Sequence, residues 1–136
     1  MTKTLKMLSV ATVLGLTVLG GAATAKPALK DVTYVREGII VAGMAYELSE
    51  NCSSVSARLL RGISYLYSLR DHAKELGYSN NEIDAYINDK AEENRLTVIA
   101  RGRLADKGVI AGQEATYCDV ARSEMAAGTV VGNLLR

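Results

Sequence analysis

The side chains able to do chemistry are few. Cys52 and Cys118 are the only thiols, and His72 is the only histidine. A redox pair normally needs close spacing such as Cys-x-x-Cys and an electropositive helix start, and neither is present around these cysteines. In an oxidising compartment, an even pair in a short chain reads instead as one structural disulfide. Closing a loop of that size stabilises by ~4 kcal/mol in the chain-entropy description. His72 sits in Arg70-Asp71-His72-Ala73-Lys74-Glu75. A general base or a metal ligand is conceivable there, but no His-x-x-x-His or Glu-x-x-His pattern supplies a second ligand. The residue reads as a solvated histidine on the polar side of a helix. Gly62-Ile63-Ser64-Tyr65 lacks the second glycine of a nucleophile elbow and falls inside a helical stretch. Asp84, Asp89, Glu92 and Glu93 could gather a hard cation, yet calcium-loop spacing is missing and a solvated helix face is the simpler reading. Nothing places two carboxylates around a cleft as glycoside cleavage would require. The expectation is therefore a non-enzymatic protein with no catalytic residue, no metal set and no cofactor. A small enzyme using carboxylates or His72 is the alternative.

Two further features suit recognition rather than catalysis. All seven aromatic residues are tyrosines, whose apolar rings with polar tips serve core edges and interfaces alike. Of these, Tyr65, Tyr67, Tyr78, Tyr86 and Tyr117 read first as core-edge residues. Gly128-Thr129-Val130-Val131-Gly132 has the small-x-x-x-small spacing that lets helices approach closely. With Gly128, Val131, Gly132, Leu134 and Leu135 it forms a candidate interaction surface; tight packing within the chain is the plainer reading of the same residues. A carrier for an apolar ligand held between helices is a third possibility.

The first 25 residues set the expected address. Lys3 and Lys6 precede an uncharged apolar run from Met7 to Gly20, and Ala23-Thr24-Ala25 supplies small residues for signal peptidase. Cleavage is expected after Ala25, giving a periplasmic protein. The competing reading is a retained anchor, because Met7 to Ala25 approaches the ~20 residues that span a bilayer. No span is expected in the mature chain. Removing Lys3 and Lys6 from 16 basic residues leaves 14 against 15 acidic ones, a formal charge of −1. A dispersed, near-neutral surface argues against nucleic acid, whose backbone demands neutralisation.

Residues 26–136 are expected to form one all-α domain, a small four-helix bundle stapled by one disulfide. The first helix covers about Asp31 to Ser49, with Val32, Val35, Ile39, Ala42 and Tyr46 at helical spacing. Gly38 to Ala45 is apolar all round and should lie centrally. The second covers about Ser54 to Leu76, with Val55, Leu59, Ile63, Leu66 and Ala73 inward and Gly77 as its stop. Ser79-Asn80-Asn81-Glu82 is a capping-box pattern. It opens a third helix to Asp106, with Ile83, Ile87, Ala91, Val98 and Ala105 inward. After the turn from Gly108 to Gly112, a fourth runs from about Gln113 to Leu134. Short loops favour antiparallel neighbours.

Gly77-Tyr78-Ser79 before an acidic helix start, Tyr117-Cys118, and the run Gly132-Asn133-Leu134-Leu135-Arg136 resemble a group of small exported rhodobacterial proteins of unknown function. The resemblance covers nearly all of residues 26–136. Some members of that group are encoded near respiratory complex I genes and labelled as a subunit of it, which implies a protein partner, an envelope complex such as a respiratory one. The residues themselves carry no iron–sulfur quartet, haem attachment motif or dinucleotide fingerprint.

Overall fold

The computed structural model describes residues 25–136. The export-signal reading rests on residues 1–25, of which 1–24 lie outside the described residues. Among the described residues the chain is helical without strands, but it has six helices where four were expected. They are α1 (Thr33–Asn51), α2 (Leu59–Glu75), α3 (Asn80–Ile87), α4 (Lys90–Asp106), α5 (Glu114–Ala127) and α6 (Val130–Asn133), preceded by a 3-10 turn at Leu29–Asp31.

Two expected helices are each broken once, for readable reasons. The third breaks at Asn88-Asp89, because the Asp89 carboxylate accepts the N–H groups of Ala91 and Glu92 and so starts a new helix. Asp89-x-x-Glu92 repeats the serine-to-glutamate spacing ten residues upstream. The break resets the helical phase, so the stripe expected through Ala91, Val98 and Ala105 faces water, while Leu96, Ala100 and Leu104 face the core. The fourth ends at Gly128, which adopts the left-handed φ of 65° that glycine tolerates. Thr129 then caps α6 by accepting the Gly132 N–H.

α1 is central, as its apolar circumference implies: it packs against α2, α4, α5, α6 and the 3-10 turn. Glycines permit two of these approaches. At Gly38 an added Cβ would lie 2.5 Å from a Leu69 methyl, so α2 sits down on α1 where α1 has no side chain. At Gly43 the Cβ position lies 3.5 Å from Ala100 of α4, in ordinary contact. The main core gathers Ile40, Met44, Leu48, Leu104 and Leu135, and a smaller cluster of Leu29, Val35, Ala73, Tyr78 and Ile83 closes the other end. Residues 56–58 and 134–136 pair through their backbones: Ser56 N–H donates to Arg136 O at 2.8 Å, Arg136 N–H returns the bond at 2.9 Å, and Arg58 N–H donates to Leu134 O.

The capping box expected at Ser79 forms in full. Its Glu82 carboxyl is held down at about 2, first by the Ser79 backbone N–H and then by the Lys26 ammonium. A carboxyl lowered in the folded state contributes stability that is present above its unfolded value near 4.5 and is lost as pH falls towards 2. Glu82→Gln keeps an acceptor on the cap without a titrating charge. Its melting temperature should fall less steeply than that of the parent across this window. Equal slopes would show that Glu82 takes no part in acid unfolding.

Candidate functional site

The C-terminal residues expected to form an interaction surface lie mostly inside. Val131, Gly132, Leu134 and Leu135 are buried in the chain's own core, and Gly128 alone is exposed. The close approach at Gly132 is intramolecular: a Cβ there would fall on the Glu124 carbonyl and the Met125 nitrogen. The small-residue spacing thus packs α6 on the end of α5.

Among the described residues, α2 carries more exposed large apolar side chains than any other helix. Its C-terminal half is anchored by Leu69 and Ala73. Its N-terminal half is tied by polar bonds instead, from the Arg58 guanidinium to Leu135 O at 2.7 Å and from Arg61 to Asn133 O at 3.2 Å. Between these anchors the expected inward stripe faces out: Leu59 is 72% exposed, Ile63 44% and Leu66 47%, with Leu60 at 82% and Tyr67 at 61% beside them. Val55 is buried as expected, but it precedes the helix, in the loop after α1.

Beside this ridge runs a groove of about 470 Å³. α1 forms its floor through Ile39, Ala42, Gly43 and Tyr46. Leu66, Leu69 and Arg70 of α2 make one wall, Leu96 and Thr97 of α4 the other, and Ile83, Tyr86 and Ile87 of α3 close one end. The groove exists because α2 and α4 both pack on α1 and the break at Asn88-Asp89 turns α3 across their end. No apolar stripe in the sequence announces such a hollow, since it arises between helices that are each satisfied elsewhere.

Its charged lining is already neutralised. Arg70 pairs with Asp84 at 2.9 Å, Glu93 with Lys90 at 2.6 Å, and Glu92 accepts from Nη2 and Nε of Arg95 at 2.6 and 2.7 Å. The Arg95 bonds, followed by other contacts that outweigh burial, hold the Glu92 carboxyl below the usual range. The Tyr86 hydroxyl donates to Glu92 Oε1 at 3.3 Å and is pushed up to about 12 by burial and then by that carboxylate. These groups fix the walls of the groove and offer no free charge within it.

The other sequence candidates separate in space. Asp84, Asp89, Glu92 and Glu93 each serve a different partner, and no three potential metal ligands converge among the described residues. His72 is half-buried rather than freely solvated, with its ring 4.4 Å from that of Tyr34. Of the tyrosines expected at core edges, Tyr78 and Tyr117 are buried, Tyr65 and Tyr86 half-buried, and Tyr67 exposed. Cys52, at the C-terminal end of α1, is bonded to Cys118 of α5 across a Cα separation of 5.1 Å. No helix among the described residues is long and apolar enough to cross a membrane.

The model of a family of unknown function, DUF5333, matches residues 27–136. No curated protein and no solved structure matches the chain.

Proposed function

We propose that this chain, which belongs to the DUF5333 family, acts without catalysis as an exported helical protein that binds another protein in the cell envelope. The observation that carries this reading is the α2 ridge beside an apolar groove whose charges are already paired. A contiguous apolar surface rimmed by polar groups is what protein association uses, whereas scattered apolar residues are ordinary. An accessory role beside an envelope complex, a respiratory one being the concrete case, follows from the resemblance of the chain to proteins labelled in that way. Export follows from the basic, apolar and small-residue succession in residues 1–25.

The test is complementation of a deletion strain, with variants matched for abundance. Leu60→Glu places a charge on the most exposed residue of the ridge and should abolish function while leaving the fold intact, since surface changes usually move stability by ~0.5 kcal/mol or less. His72→Gln should leave function unchanged. Loss of activity with His72→Gln and not with Leu60→Glu would reverse the reading in favour of an enzyme. The groove volume also falls within the ~300–1,000 Å³ of small-ligand sites, which favours an apolar-ligand carrier as the second reading. Extraction of the native protein with organic solvent should then release a stoichiometric lipid or similar molecule.

A further inference from the structure

We propose that the occupant of this face is a second copy of the same chain, packed about a twofold axis with each α2 ridge set into the other copy's groove. The inference rests on reading the face as protein-binding and names the partner. Three observations carry it.

The first is geometry. An isologous contact requires one patch to hold both a projection and the hollow that receives it, so that each copy gives what it takes. The ridge of Leu59, Leu60, Ile63 and Tyr67 lies directly beside the groove, and Leu66 belongs to both. The second is area. Leu59, Leu60, Ile63, Leu66, Tyr67 and Tyr46 are 44–82% exposed. Since large apolar side chains bury up to about 150–250 Å² each, six of them offer an area comparable to the ~800 Å² that each partner gives to a standard interface. The third is charge. Arg70, Glu92 and Glu93 are paired within the chain, so closing the face leaves none of these groove charges without a partner. A partner recognised through complementary charge would instead meet unpaired groups in the groove.

Sedimentation velocity on the native, disulfide-bonded protein should show a dimer in the micromolar range. Leu60→Glu and Tyr67→Glu should each weaken it by ~tenfold or more. Val98→Glu, at a site 69% exposed on α4 and outside the groove lining, should leave it intact. Native mass spectrometry of the same samples identifies the occupant. A monomer throughout, a dimer indifferent to the α2 substitutions, or a monomer carrying a lipid or a different protein would each overturn the second copy. The envelope-binding reading falls separately, and only if Leu60→Glu also complements the deletion strain in full.

Discussion

Replacing Gly132 by alanine is expected to destabilise the protein by about 3 kcal/mol or more, the upper end of the overpacking range. The new methyl group would fall on the carbonyl of Glu124, backbone that cannot rotate away as a side chain would. Nor is Glu124 free to retreat. Its carboxylate is held by Lys107 at 2.7 Å and by the Thr129 hydroxyl at 2.6 Å, and the Thr129 N–H donates to its carbonyl. Moving α6 outward instead would pull Val131, Leu134 and Leu135 from the core. Urea unfolding should show a large fall in midpoint. Gly128→Asn, at the left-handed position asparagine tolerates best after glycine, should cost far less. Equal midpoints for the parent and Gly132→Ala would mean that α6 does not pack as described.

Reduction of the Cys52–Cys118 bond should cost about 2–5 kcal/mol. The two cysteines are 66 residues apart in sequence, and the loop they close contains α2, α3 and α4. Without it, α1 and α5 are joined in the unfolded chain only through that whole span. The native protein should resist thiol alkylation until reduced, and the oxidised and reduced forms should differ in urea midpoint by the stated amount. Matching midpoints would show that burial of Cys52 and Cys118 in the main core suffices. A bond that persists in the freshly isolated protein would also support an oxidising compartment.

What the sequence disclosed was local chemistry, and what it withheld was phase. The Ser79 capping box, the Gly77 stop and the central placement of α1 are legible because each depends on a few adjacent residues or on an unbroken apolar circumference. The inward face of α4 was misassigned because one aspartate, Asp89, restarted the helix and rotated every later residue relative to Ile83. The α2 stripe had correct helical spacing but the wrong destination. Leu59, Ile63 and Leu66 are amphipathic in the ordinary way, and periodicity identifies an apolar face without saying whether this chain covers it. Gly128 and Gly132 mark a real close approach, but α6 turns back on α5 and consumes it internally. The groove depends on the relative placement of four helices, which no single segment encodes.

The backbone pairing of residues 56–58 with residues 134–136 has a consequence for the order of events during synthesis. A chain emerges N-terminus first, and domains generally fold as units. α1 is finished early, yet Leu135, completely shielded from water, and the strand-like contact that fixes the α1–α2 loop arrive some eighty residues later. Until then the apolar circumference of α1 lacks part of its cover, and long loops must close before those distant contacts return any free energy. The main core therefore closes only when residues 131–135 are available to cover α1.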